Sequence, residues 1–171
     1  MNTRLDKDVN SIWSQSLADD LFRFLTGRVR CPQIAMELTH DTYLHLRQAA
    51  NRTTLENERA MAFRIAMNLA IDHQRKENLR EKFASGEDFD AVSVSVAAPE
   101  PGPEQVLSQR QRLETLRKAL DQLPPDARTS FLLHGVEGLT YAEIADRLGV
   151  SKAQVNKLLA MAMRHCASQL D

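Results

Sequence analysis

The segment "LTYAEIADRLGVSKAQVNK", residues 139–157, decides how this chain is read. Its spacing predicts two short helices packed across a tight turn, a helix-turn-helix over 141–160. Ala145 has to be small where the helices touch. Gly149 sits at the turn, where a positive φ is cheap only for glycine. Ile144, Leu148, Val150, Val155 and Leu158 fill the space between the helices. Ser151 supplies an oxygen to cap the second helix. All of these demands are met at the right spacing.

In such a unit the second helix enters the DNA major groove through its N-terminal half. Burial of Val155, Leu158 and Leu159 fixes which side faces out. The outward set is Ser151, Lys152, Ala153, Asn156, Lys157 and Ala160, with Gln154 at the margin. Asn and Gln pair with an adenine edge, and Lys with guanine or phosphate. The alanines allow close approach.

The charge balance runs against this reading. The 171 residues hold 22 Lys+Arg and 23 Asp+Glu, a net charge of −1, whereas most DNA readers carry a positive excess. The positive charge is local instead: residues 59–82 hold six Lys/Arg against three acids.

Elsewhere the pattern is helical, with 43% hydrophobic residues and only 5% aromatic. Val9, Ile12, Trp13, Leu17, Leu21 and Phe24 form one apolar stripe at steps of three and four. Gly27 is expected to loosen its end. Pro32 suits the first turn of a second helix. The polar "ANRTTLENER" follows as a connection, then a third helix over roughly 58–82. In it Phe63, Ala66, Leu69 and Ala70 can face a core, with Arg64, Asn68, Asp72 and Arg75 on the other side.

Residues 84–106 hold three prolines, five acids and no Lys or Arg, and read as a linker; "AVSVSVAA" within it has no partner strand. Helices resume at Leu107. Leu113, Leu116 and Leu120 form one stripe, and "PPDA" opens a further helix that Gly138 ends. The expected fold is all-α: two small helical domains, 1–83 and 107–171, joined by the acidic linker 84–106.

Catalytic readings find little support. His40 and His45 lie five apart, off a shared helical face for metal. His73 sits among basic residues, and His165–Cys166 has no paired base or acid. Cys31 and Cys166 match no zinc spacing and read as small buried hydrophobes. We therefore expect no catalytic residue, metal, cofactor or small-molecule substrate. No apolar run spans a bilayer and the polar N-terminus lacks a signal-peptide core, so the expected compartment is the cytoplasm.

The stretch "LPPDARTSFLLHGVEGLTYAEIADRLGVSKAQVNKLLAMAMRHC" resembles region 4 of extracytoplasmic-function (ECF) sigma factors, detachable subunits of bacterial RNA polymerase. "ELTHDTYLHL" and "AFRIAMNLAIDHQRK" resemble their region 2. "VNKLLAMAMRHC" looks most like the iron-starvation branch, of the ferric-citrate or pyoverdine type. The resemblance implies core RNA polymerase and promoter DNA as partners, and a membrane-bound anti-sigma regulator. Region 2 (1–83) would dock on polymerase through Glu37, Asp41, His45 and Gln48. It would hold the melted −10 element with Arg52, Thr53, Asn57, Arg59, Arg64, Asn68 and Arg75. Region 4 (107–171) would read the −35 element. Related chains often carry a basic residue where Met67 stands. A stand-alone helix-turn-helix repressor or activator is the alternative; it would dimerise on a palindromic site.

Overall fold

The computed structural model describes residues 12–84 and 100–170. Among them are seven helices and no strand: α1 (Gln15–Val29), α2 (Pro32–Arg52), α3 (Glu58–Phe83), α4 (Pro103–Asp121), α5 (Pro125–Gly135), α6 (Tyr141–Leu148) and α7 (Lys152–Leu170). They form two compact units, one built of α1, α2 and most of α3, the other chiefly of α4–α7. The all-α expectation holds.

Ser14 caps α1, its hydroxyl accepting the Leu17 N–H at 3.1 Å. Trp13 therefore precedes the helix rather than belonging to its stripe, and packs edge-on against Tyr43 at 5.1 Å. Val9 lies outside the described residues. Gly27 does not end α1. The helix runs on to Val29 and stops where Arg30 turns left-handed at φ 55°, its N–H still bonded to the Thr26 carbonyl. The physical stop is Pro32, which pushes Cys31 into an extended conformation.

Helix α2 takes Pro32 at its first turn and continues to Arg52, so the connection shrinks to Thr53–Asn57. Ala49, Ala50 and Arg52 favour helix, whereas β-branched Thr53 is extended. Leu17, Leu21 and Leu25 of α1 are buried, as are Ala35, Leu38 and Leu46 of α2 and Ala66, Met67, Ala70 and Ile71 of α3. Thr42, also buried, satisfies its hydroxyl on the Leu38 carbonyl at 2.7 Å. Gln74 of α3 donates to the Arg28 carbonyl at 2.9 Å and ties α3 to the end of α1.

In the second unit the expected linker gives way early. Pro103–Val106 are helical, because proline at N1 and Glu104 in the first turn both favour a helix start. Residues 85–99, with Glu87, Asp88, Asp90 and "AVSVSVAA", lie outside the described residues. The stripe on α4 is only partly used: Leu120 is buried and Leu116 half-buried, but Leu113 is 66% exposed. Its packing partners, Cys166 and Phe131, reach only the last turns of α4. Along the outer side, Arg117 hydrogen-bonds Glu114 and holds that carboxyl below its usual range. The same guanidinium meets Asp121, which also meets Arg128 of α5 at 3.0 Å.

The two cysteines differ, which corrects the expectation of two buried thiols. Cys31 is half-buried, while Cys166 is 4% exposed at the α4–α7 seam. Burial pushes the Cys166 thiol up to about 11. At pH 8 only roughly one molecule in a thousand would then hold it as thiolate. Alkylation of the native protein, followed by mass spectrometry, should label Cys31 rapidly and Cys166 far more slowly. Equal rates would mean that the seam opens freely.

Candidate nucleic-acid interface

The core that shapes α6 and α7 is small and tight. Leu133 of α5, Ile144 and Ala145 of α6, and Val155 and Leu159 of α7 form one buried cluster; Leu139, Tyr141, Leu148 and Val150 pack against it. Both α6 ends are closed locally. At its start, Thr140 and Glu143 form a reciprocal capping box: Thr140 Oγ1 accepts the Glu143 N–H at 3.3 Å, and Glu143 Oε2 accepts the Thr140 N–H at 2.8 Å. The Thr-x-x-Glu spacing carries that signal in the sequence. At its end, Gly149 is left-handed at φ 68°, and the Val150 N–H returns to the Ala145 carbonyl at 3.0 Å. Ser151 Oγ then accepts the Gln154 N–H at 3.1 Å and caps α7.

These caps let α7 begin in the open. Ser151, Lys152, Ala153, Gln154, Asn156 and Lys157 are exposed, while Val155, Leu158 and Leu159 are buried. Ala160, expected to face out, is half-buried. Lys152 and Asn156 stand one turn apart, about 6 Å along the axis. The helix runs ten residues beyond 160 to Leu170, burying Ala162 and Cys166 on the way. That longer rod anchors the exposed start of α7 to the rest of the unit. The ion pair Arg147–Glu137, at 3.2 Å, links the end of α6 to the loop after α5.

In the first unit, Glu37, Asp41, His45 and Gln48 are all exposed and fall on one face of α2, while Ala35, Leu38, Thr42 and Leu46 turn their side chains into the core. Leu44, 40% exposed, sits within the same face and was missed. Its position seven residues after Glu37 was the available signal.

The −10 candidates are less uniform. Arg52 and Thr53 are exposed at the end of α2. Asn57, Arg59, Arg64, Asn68 and Arg75 are half-buried. Helical spacing puts Arg64, Asn68 and Arg75 on one side of α3 and turns Arg59 away from them. Arg59 lies over the Phe63 ring at 5.2 Å. Met67 is 7% exposed, so this position faces the core and not the Arg64–Asn68–Arg75 side. Among the described residues no group of three or more His, Cys, Asp or Glu could hold a metal, and no helix is long and apolar enough to cross a membrane.

Family models agree with this layout. Residues 14–80 match Sigma-70 region 2, and residues 113–166 match Sigma-70, region 4. The chain is 31% identical to the ferric citrate uptake sigma factor FecI of Escherichia coli (strain K12), over 84% of this chain and 80% of that one. It is 32% identical to the ECF RNA polymerase sigma factor SigE of Mycolicibacterium smegmatis over 71% of this chain, but spans only 46% of that protein. Among solved structures, the RsbN–BldN complex matches at TM-score 0.32 and 21% identity, covering 90% of this chain and 85% of the other. The sigma factor RpoE in complex with the anti-sigma factor NepR from Bartonella quintana matches at TM-score 0.39 and 20% identity, covering 90% and 91%. The chain belongs to the sigma-70 family, as an ECF-type sigma factor with regions 2 and 4.

Proposed function

We propose that this sigma factor directs core RNA polymerase to the promoters of iron-siderophore uptake genes, under a membrane-bound anti-sigma regulator. Region 2, residues 1–83, docks on polymerase through the α2 face of Glu37, Asp41, His45 and Gln48. The same region holds the opened −10 element with Arg52, Thr53, Asn57, Arg59, Arg64, Asn68 and Arg75. Region 4, residues 107–171, reads the −35 element with Ser151, Lys152, Ala153, Gln154, Asn156, Lys157 and Ala160. One observation carries the DNA reading: the start of α7 is capped, exposed and held from behind by Val155, Leu158 and Leu159. The iron branch is supported by the resemblance to the ferric citrate uptake sigma factor.

A net charge of −1 suits this function if affinity is borrowed. Docking on polymerase presents two weak DNA readers together, and the second contact then forms at high effective concentration. The isolated chain should bind duplex DNA weakly. Transcription reconstituted with core polymerase on a promoter library should give strong, selective initiation. Tight sequence-specific binding by the chain alone at physiological salt would favour the stand-alone regulator instead.

Asp41→Arg should weaken polymerase association while leaving helicity unchanged, because Asp41 is exposed on α2. An exposed charge contributes little to folding but is reversed at an interface. A pull-down with core polymerase measures it. Unchanged affinity in a normally helical protein would remove Asp41 from the docking face.

A further inference from the structure

His134 occupies the last turn of α5 and is 4% exposed. Its Nδ1 lies 2.8 Å from the Leu139 carbonyl oxygen. A carbonyl only accepts, so Nδ1 carries the proton and donates it. The ring also meets Tyr141 edge-on, with centroids 5.1 Å apart.

Leu139 is therefore held on both sides of its backbone. Its N–H donates to the Leu133 carbonyl at 3.0 Å, and its C=O accepts a hydrogen bond from the His134 Nδ1–H. Gly138, at φ 71°, turns the chain between these two anchors. Thr140, the N-cap of α6, follows immediately. The start of α6 is thus keyed to α5, and α5 shares the Leu133–Val155–Leu159 cluster with α7. A further polar tie to this loop, Glu137–Arg147, is more than half exposed at both ends and weak in salt. The buried imidazole bond is shielded from that screening.

We propose that His134 is a positioning residue for promoter recognition: its Nδ1–H bond to Leu139 sets where α6 begins, and so the angle at which α6 and α7 present Lys152–Lys157 to DNA. This rests on the −35 reading of α7. The residue touches no base; it acts through the loop and the first helix of the helix-turn-helix. A hydrophobe of similar size would keep the volume filled but leave the Leu139 carbonyl without its side-chain donor.

The test uses the full chain with core polymerase and compares initiation from promoters with intact and altered −35 elements. His134→Leu should lower that discrimination about tenfold, the usual order for one buried hydrogen bond. His134→Asn places an amide N–H where Nδ1 stood and should restore discrimination to near the parent level. His134→Gln, which places its amide farther out, should not. A leucine variant with full discrimination would overturn the proposal. So would an asparagine variant no better than glutamine, and that comparison holds even if His134→Leu fails to fold. Nitrogen-15 NMR of the free protein should find the proton on Nδ1; an Nε2–H tautomer would also overturn it. If the parent protein shows no −35 discrimination, the promoter reading of α7 fails while the NMR result on His134 stands apart.

Discussion

Val155→Asp abolishes region 4. Val155 has no exposed surface and packs in the cluster that joins α5, α6 and α7. A carboxylate there is either buried charged or forced to stay protonated. Either state, added to the lost apolar contact, costs about 4 kcal/mol or more. A helical unit of this size rarely holds more than roughly 3–5 kcal/mol of net stability. Far-UV circular dichroism of the full chain should lose about half of its helical signal, since α4–α7 supply close to half of the helical residues among the described ones. Transcription with core polymerase should vanish. Val155→Ala, which only leaves a small void, should cost about 2 kcal/mol and retain the fold. A folded, active Val155→Asp protein would mean that α7 presents a different face to its neighbours.

Asn156→Ala should change which promoters are read, not merely how strongly. Asn156 is exposed one turn after Lys152, on the side opposite Val155 and Leu159. A bidentate contact from asparagine to adenine contributes roughly 1–3 kcal/mol of discrimination at one base pair. Loss of the side chain should therefore reduce initiation by about tenfold or more on the preferred promoter and flatten the preference at one position of the −35 element. Lys157→Ala gives the contrasting pattern. If its ammonium meets phosphate, all promoters weaken together and the salt dependence becomes shallower. Promoters mutated singly across the −35 element, transcribed with each variant, separate the two. An unchanged base preference in Asn156→Ala would remove that residue from direct readout.

The turn of the helix-turn-helix was legible because its rules are local. Gly149 had to adopt positive φ, Ser151 had to cap, and Val155, Leu158 and Leu159 had to share a side; each depends on residues within a few positions. The exposed set on α7 followed from the same helical period, apart from Ala160. The acidic face of α2 was readable for the same reason, while Leu44 within it was overlooked because an apolar residue is ordinarily assigned inward.

The amino-acid sequence by itself determined the helical class, the two-part layout and which residues at the start of α7 stand exposed, Ala160 excepted. Tertiary structure alone decided how much of each apolar stripe is covered. Leu113 continues the stripe of Leu116 and Leu120 yet stays exposed, because Cys166 and Phe131 meet only the end of α4. Met67 is buried although the expected core face of α3, Phe63, Ala66, Leu69 and Ala70, did not include it. His134 reads as one more histidine near a helix end until its Nδ1 is seen against the Leu139 carbonyl. Helical period fixes the direction of a side chain from its nearest neighbours. Coverage and hydrogen-bond partners depend on where distant segments come to rest, and that is settled only when the whole unit packs.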